Sequence, residues 1–90
     1  MKSLTFDLPA QIDQFGPVFV QRWLAAVGDE FKEGAPLVSI ETEIAHIELN
    51  SPWPGKLAEI HCGEGAPVTA GTALATIEVT DWVYDNMVSE

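Results

Sequence analysis

Ninety residues suffice for one domain with a single modest core. Hydrophobic residues make up 47% of the chain, which argues against a disordered segment. Fourteen acidic residues against four basic ones, a formal net charge of −10, oppose binding to phosphate backbones and anionic lipid, so neither nucleic acid nor a membrane is an expected partner.

From the N-terminus, Leu4, Phe6 and Leu8 alternate with Thr5 and Asp7, the pattern of a half-buried strand. Pro9 to Gly16 reads as a loop. "VFVQRWL" (18–24) is the next strand, with Trp23 as a core-packing residue. A Gly turn at "VGD", an apolar residue at Phe31 and a second Gly turn lead into the strand around Val38, Ile40 and Thr42, whose other face carries Ser39 and Glu41. After a tight turn, Ala45, Ile47 and Leu49 share one face of a further strand, and His46, Glu48 and Asn50 the other. By the same parity Ile44 points outward with His46 and Glu48. Two-residue hairpin loops usually carry Asn-Gly, and Glu43-Ile44 does not, so local turn signals alone do not announce this hairpin.

The same grammar returns later. "VGDEFKEGAPLVSIE" (27–41) aligns with "EGAPVTAGTALATIE" (64–78) at a constant offset of 37 residues, placing Gly28 on Gly65, Gly34 on Gly71, Leu37 on Leu74 and Ile40 on Ile77. Ala75, Ile77 and Val79 form the buried face of the second copy. Two copies are too few for a solenoid. They indicate a pseudo-symmetric domain in which each half completes the other's core. No stretch has helical periodicity, so the expected fold is all-β, a sandwich or barrel of short strands. The domain is expected over residues 1–80. The tail from 81 to 90 reads either as a final strand packed through Trp82 and Tyr84 or as a frayed end.

The chemistry-bearing residues are sparse. Cys62 is the only cysteine, so no internal disulfide can form and a reducing compartment is expected. His61 and Cys62 are adjacent, but two histidines and one cysteine fall short of a zinc site. In the repeat they align with Leu24 and Ala25, ordinary strand or turn positions. Asp29 and Glu30 read as solvated turn acids, and His46 as a solvated strand residue. "MKSLTFDLPA" carries no secretory leader and no apolar run matches a membrane span. A cytoplasmic protein is the expectation, whether complete or excised from a longer chain.

"WLAAVGDEFKEGAPLVSIETE" (23–43), "AHIELNSPWPGKLAEI" (45–60) and "EGAPVTAGTALATIE" (64–78) together resemble the biotinyl/lipoyl carrier family, above all the lipoyl domain of 2-oxo-acid dehydrogenase acyltransferase components. The resemblance implies a flattened β-barrel of two four-stranded antiparallel sheets related by a pseudo-twofold. It also implies a hairpin tip reading Glu-Thr-Asp-Lys-Ala, whose lysine carries lipoate through an amide. Here Glu41, Thr42 and Ala45 match, Glu43 replaces the aspartate, and Ile44 stands at the lysine's position. Biotin carriers read Ala-Met-Lys-Met, further from this chain.

Isoleucine has no nucleophile for attachment. Lys2, Lys32 and Lys56 all lie away from the tip in sequence. The expectation is a module with no lipoyl or biotinyl cofactor and no catalytic or metal residues. It would meet protein partners, 2-oxo-acid dehydrogenase components among them, through Glu41, Thr42, Glu43, Ile44, Ala45 and Trp53. Trp53 is read equally as a cover for the barrel edge or a partner contact. An acyl carrier whose lysine was replaced is the alternative. An enzyme in its own right is the weakest reading, for want of a paired acid/base set or nucleophile.

Overall fold

The computed structural model describes residues 2–9 and 17–88, so the loop expected at 9–16 lies outside the described residues from position 10 onward. Eight strands follow in chain order: β1 (Lys2–Asp7), β2 (Val18–Trp23), β3 (Glu30–Phe31), β4 (Pro36–Glu41), β5 (His46–Asn50), β6 (Gly55–Ile60), β7 (Pro67–Val68) and β8 (Ala73–Val79). They form two four-stranded sheets, ordered β1-β8-β6-β3 and β5-β4-β2-β7. All pairings are antiparallel. The molecule measures 39 × 26 × 18 Å, the flattened shape expected of two sheets packed face to face.

The core is built from the alternating apolar positions of both sheets. Val20, Leu37, Val38, Ile40, Leu57, Leu74, Ala75 and Ile77 are sealed from solvent, with Phe6, Leu8, Val18, Leu49 and Val68 around them. Ser39 shares the outer face with Glu41 yet is also buried, because its hydroxyl donates to Gln21 Oε1 at 2.7 Å and that side chain lies beside it. Trp23 is half-buried and bridges the two halves, its Nε1 donating to the Cys62 carbonyl at 2.7 Å.

The sequence repeat is a structural repeat. Gly28 and Gly65 adopt φ of 97° and 85°, and Gly34 and Gly71 adopt 85° and 83°, a region that L side chains enter only under strain. The hydrogen bonds around these turns correspond too. Gly28 N–H donates to Leu57 O and Gly65 N–H to Val20 O; Leu24 N–H donates to Leu37 O and His61 N–H to Leu74 O. Even the irregularities recur, with register shifts between Val20 and Arg22 in one half and Leu57 and Glu59 in the other. The operation exchanges β2 with β6, β4 with β8, β7 with β3 and β5 with β1, so each half supplies strands to both sheets.

Of the two expectations for the tail, a final strand or a frayed end, the strand does not form over residues 81–88. Asp81–Val83 is a single α-helical turn (α1), and Tyr84–Val88 continues it as a π-helical turn. The cause is local: Thr80 is extended and its Oγ1 accepts the Val83 N–H at 3.2 Å, an N-cap that turns the chain away from β8. Val83 then buries itself, Trp82 stays exposed, and the Tyr84 ring lies 5.5 Å from the Lys2 ammonium. Among the described residues no helix is long and apolar enough to cross a membrane.

Candidate functional site: the β4–β5 hairpin tip

β4 and β5 pair from Pro36↔Asn50 to Glu41↔His46, leaving Thr42 to Ala45 as the turn. Thr42 supplies what the missing Asn-Gly would otherwise provide. Its backbone N–H donates to Ala45 O at 2.8 Å. Its hydroxyl donates to the same carbonyl at 3.0 Å and accepts the N–H groups of Ala45 at 3.0 Å and Ile44 at 3.3 Å. One buried hydroxyl thus satisfies three backbone groups of the turn, and neither Glu43 nor Ile44 needs positive φ.

This cap leaves Ile44 at the apex with 76% of its surface exposed, as strand parity requires. Glu43 and Ala45 are exposed beside it. Ala45 belongs to the inward row with Ile47 and Leu49, but the barrel has ended before the row reaches it. At the base of the tip His46 Nε2 lies 3.3 Å from Glu41 Oε2, a cross-strand contact between exposed side chains. Exposure and competing water keep such a pair weak.

Five of the six expected contact residues, Glu41 to Ala45, therefore sit together. Trp53 does not join them. It follows β5 at the end away from the tip, and the five residues of that strand rise about 17 Å. There it packs against the core and lines a groove of about 540 Å³ with Phe6, Leu49, Pro9 and Pro52. Ser51 fixes this bend, its hydroxyl donating to Trp53 O at 2.6 Å and accepting Trp53 N–H at 3.2 Å. Trp53 is half-buried there, part of the barrel edge and of the groove wall.

The other residues singled out have structural roles. Asp29 Oδ2 accepts the Ala26 N–H at 2.9 Å and shapes the "VGD" turn. His61 contacts Thr76 Oγ1 at 2.7 Å and Glu59 Oε1 at 3.3 Å. Cys62 packs against the core, its Sγ 3.7 Å from Ala73 O. Among the described residues no group of three His, Cys, Asp or Glu side chains could hold a metal ion. Lys2 lies in β1, Lys32 between β3 and β4, and Lys56 in β6; none belongs to the tip. Phe19 escaped the sequence reading: it is 41% exposed on β2, directly opposite Glu41.

A two-sheet barrel with internal symmetry and a protruding hairpin invites comparison with known proteins. The family described as "Biotin-requiring enzyme" (Biotin_lipoyl) matches residues 5–77. This chain belongs to the biotin/lipoyl domain family. A solved lipoyl domain, from the 2-oxoglutarate dehydrogenase complex of Azotobacter vinelandii, superposes with a TM-score of 0.64 at 25% identity, covering 88% of this chain and 98% of that one. The dihydrolipoyllysine-residue acetyltransferase component of the Acholeplasma laidlawii pyruvate dehydrogenase complex is 37% identical over 59 residues, 66% of this chain and 11% of the relative. The mitochondrial succinyltransferase component of the Saccharomyces cerevisiae 2-oxoglutarate dehydrogenase complex is 31% identical over 77 residues, 86% of this chain. The biotin/lipoyl domain spans only 11% and 17% of these two relatives. It is a carrier-type domain, not itself a catalyst, similar to the lipoyl domains of larger acyltransferase components.

Proposed function

We propose that this biotin/lipoyl domain carries no lipoyl or biotinyl group. It acts as a protein-interaction module that docks through its hairpin tip, Glu41 to Ala45, onto components of a 2-oxo-acid dehydrogenase-type complex. The observation that carries this reading is Ile44. The resemblance assigns the attachment lysine to that position, and the side chain there is exposed at the apex of an otherwise intact turn. An amide-linked group needs an amine, and a sec-butyl side chain offers none. The residues at the tip therefore do not fit the group, and no transfer step is derived through it. Lys2, Lys32 and Lys56 do not replace it, since each sits on another part of the barrel.

Intact mass after incubation with a lipoate ligase, ATP and lipoate tests the first part. The expected result is an unchanged mass. A gain of one lipoyl group on any lysine overturns it.

The completeness of the turn also favours a second reading, an acyl carrier whose lysine has been replaced. The turn does not depend on the isoleucine side chain: the Thr42 hydroxyl caps it through backbone groups of Ile44 and Ala45. Under that reading Ile44→Lys alone restores an efficient ligase substrate. Under the interaction-module reading, a surface no longer used by a ligase leaves Ile44→Lys unmodified.

A further inference from the structure

We infer that the docking face extends from the tip onto the adjoining sheet: Phe19, Glu41, His46 and Ile44 form one surface that receives a protein site with an apolar socket rimmed by lysine or arginine. The inference rests on the docking role proposed for the tip and assigns that role a second anchor and a partner chemistry.

The geometry comes from strand register. Phe19 of β2 faces Glu41 of β4, and Glu41 faces His46 of β5. Residues directly opposed in antiparallel strands share a face, and neighbouring strands lie about 4.8 Å apart. The three side chains therefore form a row across the outer face of the sheet, all exposed, and Ile44 continues that face two residues beyond His46. Among the described residues four large hydrophobic side chains are exposed: Phe19, Val27, Ile44 and Trp82. Two of the four, Phe19 and Ile44, lie on this one face with Glu41 and His46 between them. Isolated exposed hydrophobics are ordinary, whereas an aromatic and an aliphatic on one continuous face are the composition of an interface centre.

The surroundings are polar, as an interface rim is. Behind the row the same face sinks into a depression of about 400 Å³ lined by Gln21, Arg22, Ser39, His46 and Glu48, with Leu24 its one apolar residue. Glu41, Glu43 and Glu48 surround the apolar pair, with Arg22 the one cation of this face among the described residues. That balance selects a cationic counterpart. A second copy of this chain is disfavoured, because a net charge of −10 on each molecule repels the other.

The test is an NMR titration of the isotope-labelled chain with a purified 2-oxo-acid dehydrogenase component from the same organism. Line broadening at Phe19, Glu41, Ile44 and His46 is expected, with affinity falling as salt is raised. Phe19→Ala should weaken binding about tenfold, as loss of an aromatic anchor does. Trp82→Ala, on the C-terminal helical turn, should leave affinity unchanged. A footprint confined to residues 42–45, with Phe19→Ala binding like the parent, overturns the sheet face and leaves tip docking standing. Absence of binding overturns both. The footprint is read on the unmodified chain, so the outcome does not depend on the folding of a variant.

Discussion

The pseudo-twofold gives the hairpin tip a counterpart elsewhere in the barrel, and the two differ in almost everything except backbone position. β4 and β8 are equivalent strands, as are β5 and β1. In one half Gly34 N–H donates to Ser51 O; in the other Gly71 N–H donates to Leu8 O. Yet β4 runs into β5 through a four-residue turn, whereas β8 and β1 meet only as paired strands and the chain leaves β8 into α1. Thr42 at the end of β4 corresponds to Val79 at the end of β8. Thr42 spends its hydroxyl on turning the chain, and Val79 is sealed in the core. The repeat maintains the core, and the proposed docking tip lies where the repeat is broken.

Where symmetry holds, equal damage should follow in both halves. Leu37 and Leu74 are equivalent and fully buried. Leu37→Ala and Leu74→Ala are each expected to lose about 2–5 kcal/mol, read from urea denaturation midpoints. A difference between them as large as either loss would show that one half dominates the core and break the equivalence. Gly28→Ala and Gly65→Ala sharpen the same point at lower cost. A Cβ would meet nothing within 4 Å at either position, so the penalty is conformational alone, about 1–2 kcal/mol in each half. Substantially unequal shifts in thermal midpoint would contradict the matched φ values.

These symmetric features were the legible ones. Glycines at fixed spacing and period-two alternation are local signals, and they were enough for the longer strands, the glycine turns and the internal repeat, though not for the two-residue strands β3 and β7. The tail was not legible as apolar alternation, because Trp82 and Tyr84 suit a strand while Thr80, two residues before Trp82, caps a helical turn. The tip was legible through parity: Ile44 lies on the outward face as expected. The hairpin turn itself was not, since a threonine hydroxyl does the work normally assigned to Asn-Gly. The Phe19–Glu41–His46 row depends on which strands become neighbours, a long-range choice that alternation within one strand does not contain. Trp53 is near the tip in sequence and a strand's length away in the fold, a separation that chain distance does not show.

At the broken positions the two halves should respond differently. Thr42→Val gives β4 the residue its counterpart already has. It removes the hydroxyl that joins Thr42 to Ile44 and Ala45 and keeps the volume. A loss of about 1 kcal/mol is expected, the scale of a partly exposed hydrogen-bond set whose members can turn to water. Amide exchange at Ile44 and Ala45 should quicken while that of Leu57 and Ile77 stays slow. Uniform acceleration across the barrel would mean that the tip is coupled to the core, against the separation drawn above.

The smallest effect is expected at the position on which the proposed function rests. Ile44 has no place in the core cluster and none of its side-chain atoms supports the turn, so Ile44→Lys should change stability by less than about 0.5 kcal/mol. That near-silence makes the variant informative. Any change in ligase reactivity or partner affinity is then chemical and local, because the backbone that presents residue 44 is held by Thr42 and not by residue 44 itself. A large drop in thermal midpoint on Ile44→Lys would mean that the isoleucine packs against something the exposed apex does not account for. The tip would then have been rebuilt around it, and the comparison with a carrier turn would no longer hold.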